Sequence, residues 1–354
     1  KASRTPSERD GDLRAQEAAN RVGQSRLKAL LTARGTAVFS HSEELLEFGR
    51  RQALSLIETF PDGMFEAEDA LEDDGHGSSV AIRLRVSRSG QRLVFDFRDS
   101  DAQTDSSLNA VRAVTIAAVY YALKLLGGAR LPANEGVLRQ LDILTSPGTV
   151  CDASYPAAVS AGNVETSQRV VDVVMIALSK CFPDKMPAQS CGSMNNVILA
   201  GEGFSGDAFV HYETHGGGLG AGPSGPGLSG THAHMTNTLN TPIEELELSY
   251  PLRVSEYRLA TPPIHESAGV HLGGRGLVRT YMFLKDGEAT LIGERHTSSP
   301  KSIRTEAAVQ LAEHTLVRAN GTRERLSSKT RLKVSEGESI ELKTAGGGHW
   351  KSSN

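Results

Sequence analysis

The chain has 354 residues, of which 38% are hydrophobic, and a formal net charge of −4. That length and apolar content support one large domain or two to three smaller ones with a sizeable core. The slightly acidic balance favours neither nucleic acid nor an anionic membrane surface as a partner. No apolar run reaches the roughly eighteen residues that predict a transmembrane helix.

The first 64 residues are predicted to be helical. Apolar residues recur at near-helical spacing over 12–34, and Gly35 suits the position just after a helix. Ser40 to Glu43 predicts a capping box for a second helix, which Pro61-Asp62-Gly63 ends. The charged start of the chain has neither an initiator Met nor a signal peptide. We therefore expect 1–64 to be a helical segment that continues a missing N-terminal part.

Residues 65–300 are predicted to form an α+β core with a mixed sheet. Alternating apolar residues on both sides of Ser89-Gly90 predict a β-hairpin. Two helices are expected at 110–126 and 163–182, the second with Asn163 as its N-cap, and a short strand at 138–144 lies between them.

The last part of the chain, 301–354, is predicted to be a small all-β unit. Asp286-Gly287 and Asn320-Gly321 are typical of hairpin turns. Because helices come first and hairpins last, the pattern favours an α+β fold over a doubly wound parallel sheet.

The densest polar cluster runs from His232 to Glu244. In an extended chain, side chains two residues apart share a face, so His232, His234 and Thr236 would point the same way. Two imidazoles at that spacing could act on a substrate or share a metal. Neither has a carboxylate at clear ligand spacing, which weighs against the metal. The alternative is a buried hydrogen-bonded network.

A glycine-rich run, 215–230, precedes this cluster. It contains neither a P-loop nor a dinucleotide fingerprint, so any ATP is expected to be bound by another chain. We interpret the run, with Gly217 and Gly218, as a loop lining a pocket, or alternatively as a surface connection.

Two glutamates complete the candidate site. Glu165 follows Asn163 at a predicted helix N-terminus, where the backbone favours an anion, although a well-capped helix explains the residues equally well. Glu213 could be a general acid or base if buried, although a lone Glu in a strand is more often solvated or salt-bridged.

Three cysteines are present, Cys151, Cys181 and Cys191, without a C-x-x-C pair. This count and spacing argue against a disulfide framework or a zinc knuckle. We interpret them as small buried side chains in a reducing cytosol. Cys191, which lies in a polar stretch, is the alternative candidate for a catalytic thiol.

Taken together and in order, these stretches resemble the hydantoinase B / 5-oxoprolinase family, which includes subunits of acetone and acetophenone carboxylases. The resemblance spans nearly the whole chain. Its segments are Gly11–Gln16, Ala19–Gly23, Ala118–Leu123, Asn134–Gly136, Gly162–Arg169, Met194–Asn196, Tyr212–Thr214, His232–Pro242 and Gly273–Gly276.

The resemblance implies a B-type subunit of a cytoplasmic hetero-oligomer. An A-type partner would bind ATP and phosphorylate the substrate, and the B-type subunit would act on that intermediate. It also allows a divalent metal, whose ligands would lie in a segment upstream of Lys1. The metal motifs of that segment are not found in this sequence, so no metal ligand is assigned here. Ser298–Glu306 also stands where the family has a glycine- and proline-rich stretch.

We therefore expect a subunit of an ATP-dependent hydrolase of cyclic amides. A carboxylase subunit and a non-catalytic scaffold are the alternatives. The expected catalytic residues are His232, His234, Glu213 and Glu165. The expected substrate-binding residues are Thr236, Asn237, Asn240, Thr241, Asn163, Gly217 and Gly218.

Overall fold

The computed structural model describes residues 6–73, 76–261 and 269–353, so the first five residues of the predicted helical segment lie outside it. The helices are α1 (Pro6–Arg34), α2 (Ala37–Ile57), α3 (Arg112–Gly127), the short α4 (Glu135–Leu138), α5 (Ser167–Cys181) and α6 (Ile243–Ser249). A 3-10 turn covers Gly128–Arg130, and a π-helical turn covers Gly162–Thr166.

The strands alternate with these helices early in the chain and dominate its second half. They are β1 (Met64–Leu71), β2 (Val80–Ser89), β3 (Arg92–Asp96), β4 (Leu141–Leu144), β5 (Asn196–Glu202), β6 (Ala208–Thr214), β7 (Leu252–Leu259), β8 (Val270–His271), β9 (Leu277–Phe283), β10 (Gly287–Ile292), β11 (Glu313–Val317), β12 (Arg323–Leu326), β13 (Lys329–Val334), β14 (Ser339–Lys343) and β15 (Trp350–Lys351).

The two N-terminal helices are confirmed, but the predicted capping box is wrong. Gly35 has a φ of +59° and its N–H bonds the Leu31 carbonyl at 2.8 Å, which ends α1. The helix α2 then begins at Ala37, directly after this turn. Ser40 lies inside α2, where its hydroxyl donates to the Ala37 carbonyl at 3.0 Å and cannot serve as a cap.

The first sheet has the strand order β1-β2-β3-β4, antiparallel except for the parallel pair β3 and β4. The predicted hairpin at Ser89-Gly90 is confirmed by the pairing of Ser89 with Arg92. The helix α5 packs on β1 and β2 and against α3. Its residues from Ser167 to Met175 are all buried, so it is the central helix of the core rather than an amphipathic surface helix.

Two further sheets share a second core. Their orders are β13-β10-β5-β6 and β12-β11-β14-β9-β7. Leu199 and Leu291 lie in the four-stranded sheet that contains β5, and Tyr281 and Leu342 lie in the five-stranded sheet that contains β9. All four belong to one buried cluster. Strands that follow residue 301 pair with β9 and β10, so both sheets combine central and C-terminal strands.

The two predicted C-terminal hairpins have different outcomes. The turn at Asn320-Gly321 is confirmed, since Val317 on β11 pairs with Arg323 on β12. A hairpin at Asp286-Gly287 is wrong, because β9 and β10 belong to different sheets. The turn carries the chain from one sheet to the other, which a local turn motif cannot distinguish from a hairpin.

The first half of the glycine-rich run, 215–221, is buried or half-buried, whereas 223–229 is largely exposed. The backbone of the first half bonds to that of three other segments: the Cys191 N–H donates to the Gly218 carbonyl, the Gly274 N–H donates to the Leu219 carbonyl, and the Gly218 N–H donates to the Ala345 carbonyl, at 2.8 to 3.0 Å. A side chain at Gly218 would place its Cβ 2.0 Å from the Gly274 oxygen. Glycine is therefore required by the close approach of these backbones.

The architecture confirms the predicted α+β class, with N-terminal helices, a mixed sheet and several antiparallel sheets. Among residues 6–73, 76–261 and 269–353, no helix is long and apolar enough to span a membrane.

Candidate functional site

A cavity of about 410 Å³ lies between the π-helical turn, the end of β6 and the segment 235–241. Five residues predicted for the site line it: Asn163, Glu213, Thr236, Asn237 and Thr241. The other lining residues are Val164, Met194, Tyr212, Thr214, Met235, Thr238 and Leu239. Apart from Glu213, the lining side chains are uncharged, and amide and hydroxyl groups alternate with apolar ones. Such a lining suits a small, neutral, polar ligand.

Glu213 is held as an ionised carboxylate at the wall of this cavity. Its Oε2 lies 3.0 Å from Arg279 Nη1 and accepts a hydrogen bond from the Tyr281 hydroxyl at 2.8 Å. Its Oε1 accepts the backbone N–H of Thr241. Burial alone would raise its pKa, but His211, the Arg279 charge and the Thr241 N–H lower the pKa to about 2.

This environment changes the role expected for Glu213. A carboxyl with a pKa near 2 has no proton to donate at neutral pH and is a weak base. Its bond to Thr241 instead fastens the segment 235–241 to β6. Asn240 adds to this attachment, since its Nδ2 donates to the Thr214 carbonyl at 2.8 Å and its Oδ1 accepts the Tyr257 hydroxyl at 3.2 Å.

The two histidines do not share a face. His234 has a φ of +56° and lies in a turn, so the extended conformation expected for 232–238 is wrong. His234 Nδ1 is 3.3 Å from the Tyr121 hydroxyl, whereas His232 Nε2 is 3.3 Å from Thr238 Oγ1. Burial lowers both pKa values, that of His234 to about 4, so both rings are neutral at pH 7. Neither lines the cavity.

Glu165 lies behind the cavity wall rather than in it. The predicted N-cap at Asn163 is wrong, because Asn163 is inside the π-helical turn and makes no side-chain capping bond. Glu165 is fully buried, and its Oε1 accepts the Met194 N–H at 3.1 Å and Asn196 Nδ2 at 2.6 Å. Burial, with the charge of Glu294, raises its pKa to about 8. It is therefore mainly protonated at neutral pH.

Gly217 and Gly218 are not brought to the cavity. Both are buried in the glycine-rich bundle, and a Cβ at Gly217 would meet the Cys191 side chain at 2.5 Å. Neither glycine lines a cavity in the described part of the chain, so their assignment to substrate binding lacks support. The second half of the run, 223–229, is largely exposed, and Pro226, Gly227 and Ser229 line a separate cavity of about 230 Å³.

The cysteines are buried or partly buried, as interpreted from the sequence. Burial raises the pKa of the Cys191 thiol to about 11, so almost no thiolate exists at neutral pH. Its thiol hydrogen bonds the Ser193 carbonyl at 3.6 Å.

A buried ion-pair network fixes α5 behind the site. Arg169 Nη1 lies 3.0 Å from Asp69 and its Nη2 lies 3.2 Å from Glu294, while Arg295 Nη2 lies 2.8 Å from Asp172. These bonds join α5 to β1 and to the segment after β10. Within the segment Glu165–Arg169, Arg169 therefore belongs to the ion-pair network of the core, whereas Glu165 lies next to the cavity.

Sequence reasoning missed three residues around Glu213. Arg279 and Tyr281 on β9 are buried, and His215 Nε2 lies 3.0 Å from the Tyr281 hydroxyl. Burial and the Arg279 charge lower the pKa of His215 to about 3. Arg279 also stacks over Tyr257 at 4.8 Å. The sequence signal for them was Arg279 within a mainly apolar strand, because a charged side chain that is buried requires a partner.

A metal site needs several ligand side chains close together. Among the described ranges, no group of three or more His, Cys, Asp or Glu side chains is arranged to hold an ion. The hydrogen bonds of His234 and Asn240 attach the segment 232–240 to its neighbours, and that of His232 to Thr238 lies within it.

Comparison with known proteins agrees with this architecture. Residues 1–352 match the family described as Hydantoinase B/oxoprolinase, and the chain belongs to that family. A protein of Methanocaldococcus jannaschii is 37% identical over 99% of this chain and 60% of its own length. The 5-oxoprolinase 1 of Arabidopsis thaliana is 33% identical over 95% of this chain and 26% of its own length.

Two solved structures share the fold. The ATP-dependent caprolactamase from Pseudomonas jessenii superposes with a TM-score of 0.83 at 23% identity, over 97% of this chain and 60% of that one. A nucleotide-free acetone carboxylase superposes with a TM-score of 0.75 at 14% identity, over 92% and 50%. The chain thus spans between about a quarter and 60% of the proteins it matches.

Proposed function

We propose that the chain is part of a B-type subunit of an ATP-dependent hydrolase of cyclic amides, such as a hydantoin, 5-oxoproline or a lactam. The observation that carries the proposal is the cavity beside Glu213, whose lining is uncharged apart from that one paired carboxylate. An amide ring is small, neutral and polar and matches this lining. Membership of the family and the names of two relatives, a 5-oxoprolinase and a caprolactamase, support the same class.

Within this proposal the residues divide into three roles. Asn163, Thr236 and Asn237 contact the substrate through amide and hydroxyl groups at the cavity wall. Glu213 and Asn240 hold the segment that carries them. His232 and His234, which lie outside the cavity lining, support the loop in the neutral form.

The ATP chemistry is assigned to a partner. An amide is a poor electrophile until its oxygen is phosphorylated, and this chain carries no phosphate-binding motif. We propose an A-type subunit that binds ATP, in a cytoplasmic hetero-oligomer. We propose that a divalent metal of the complex is held by residues outside the described ranges, as the family resemblance implies.

The alternatives are a carboxylase subunit and a non-catalytic scaffold. The fold shared with the acetone carboxylase motivates the first. One assay separates the three. The full natural protein, purified with its ATP-binding partner, is tested for ATP hydrolysis with hydantoin, 5-oxoproline or caprolactam, and with acetone plus bicarbonate. The proposal expects turnover with a cyclic amide only. Turnover with ketone and bicarbonate alone would establish the carboxylase, and a complex as active without this subunit would establish the scaffold.

A further inference from the structure

The Asn196 side chain is locked in one orientation by its neighbours. Its Nδ2 lies 2.6 Å from Glu165 Oε1 and 3.1 Å from the Ile292 carbonyl oxygen. The Ile292 carbonyl can only accept, and Glu165 Oε1 already accepts the Met194 N–H. The amide nitrogen of Asn196 must therefore face these two groups, and its oxygen must face the other way.

This orientation determines the direction of the next hydrogen bond. Asn196 Oδ1 lies 2.9 Å from the Tyr212 hydroxyl. Because Oδ1 can only accept, Tyr212 has to donate its single proton to Asn196. Burial raises the pKa of the Tyr212 phenol, so it keeps that proton at working pH. The lone pairs of Tyr212 remain available to other donors.

Tyr212 offers those lone pairs at the cavity. Its side chain lines the cavity and is 52% exposed, whereas Glu165 and Asn196 are buried behind it. A donor inside the cavity would therefore find an oxygen that accepts but has no proton left to give.

We propose that the Tyr212 hydroxyl accepts a hydrogen bond from the ring N–H of the cyclic amide before its oxygen is phosphorylated, with Asn196 and Glu165 as the positioning residues that fix its direction. This inference rests on the proposed function and deepens it. The contact selects rings that carry an N–H over rings with oxygen at that position, since a ring oxygen would set its lone pairs against those of Tyr212. One neutral hydrogen bond of this kind corresponds to about a tenfold preference.

Equilibrium binding tests the contact directly. The full natural protein is titrated with 2-pyrrolidinone and with γ-butyrolactone, its ring-oxygen analogue, and binding is followed by ligand-observed NMR. The unaltered protein should prefer the lactam about tenfold. Tyr212→Phe keeps the ring and removes the acceptor, so its preference should fall to within about twofold. An unchanged preference in Tyr212→Phe would overturn the proposal, and so would the absence of any preference in the unaltered protein.

The positioning residues have a matched pair of variants. Glu165→Gln retains an oxygen that accepts from Asn196, so the lactam preference should persist. Glu165→Ala removes that acceptor, frees Asn196 to rotate, and should reduce the preference. A residue with a merely structural role would weaken both ligands equally. If Glu165→Ala does not fold, the Tyr212→Phe comparison decides.

Failure of the contact is distinguishable from failure of the proposed function. A tenfold lactam preference that depends on Tyr212, without lactam-dependent ATP turnover in the complex, would leave the contact intact and refute the hydrolase. Lactam-dependent turnover with an unchanged lactam preference in Tyr212→Phe would refute the contact and leave the proposed hydrolase function intact.

Discussion

Glu213 Oε2 lies 3.0 Å from Arg279 Nη1, and both side chains are buried at the join between β6 and β9. This ion pair connects the two sheets of the second core just beside the cavity. The same carboxylate accepts the Thr241 N–H, so one buried charge holds both the sheets and the segment that lines the cavity.

Glu213→Gln should therefore lower stability substantially. The substitution leaves the Arg279 guanidinium buried without its counter-charge, which costs about 3–5 kcal/mol of unfolding free energy. The matched control is Glu202→Gln on the adjacent strand, whose exposed pairing with Lys285 at 3.5 Å contributes about 0–1 kcal/mol. Urea unfolding of both variants measures the difference, and equal effects would show that the buried pair is not the anchor described.

Glu165 should make stability fall as the pH rises. Its pKa is about 8 in the folded chain, against the ordinary glutamate value of 4.5 expected in the unfolded chain, so between these values the folded state binds the extra proton. The unfolding free energy then decreases through that window by up to about 1.4 kcal/mol per pH unit. Glu165→Gln removes this contribution, so the variant should gain stability relative to the unaltered protein between pH 5 and pH 8. Parallel pH profiles from urea unfolding would contradict the protonated state.

Gly218→Ala should disrupt folding, because its Cβ would lie 2.0 Å from the Gly274 oxygen and 2.4 Å from the Gly347 nitrogen. Overpacking costs about 1–3 kcal/mol, and occasionally more, and backbone atoms at this distance place Gly218→Ala at the upper end. Gly222→Ala is the control in the same run, where the nearest contact is Pro187 Cβ at 3.6 Å. Thermal unfolding should show a large loss for the first variant and a small change for the second. If both were tolerated, the close approach of the Gly218, Gly274 and Gly347 backbones would be refuted.

Cys191 should be unreactive in the folded protein. It is fully buried, whereas Cys181 is only partly buried, and burial raises the pKa of Cys191 to about 11 and that of Cys181 to about 12. Because access to the reagent separates the two thiols, iodoacetamide at pH 8 should modify Cys181 slowly in the native state and Cys191 only after denaturation. Fast labelling of Cys191 in the native state, followed by mass spectrometry of the peptides, would revive the catalytic thiol.

The sequence predicted the elements better than their assembly. Local periodicity located α1, α5 and the hairpin after Ser89, because these depend on residues close together in the chain. It failed at Asp286-Gly287, where the same turn residues join different sheets. The partner of a strand is decided by packing between distant segments, which a turn motif does not encode.

The candidate site shows the same division. Asn163, Thr236, Asn237 and Thr241 were predicted from local polar density and do line one cavity. The orientation of His234 depended on a positive φ that the extended reading of the sequence did not anticipate. The partners of Glu213 lie on β9, more than sixty residues away, and only the fold brings them together.

The central claim is that the cavity beside Glu213 binds the cyclic amide, and filling it is the most direct test. Asn237 lines the cavity and its side chain is exposed, so Asn237→Trp should occupy that space at little cost in stability. Glu244→Trp, exposed on α6 and outside the lining, is the control. The measurement is the KM for the cyclic amide in ATP turnover by the full protein with its partner. The account predicts a KM raised tenfold or more for Asn237→Trp alone, with an unchanged Tm. Identical KM values in both variants would contradict it.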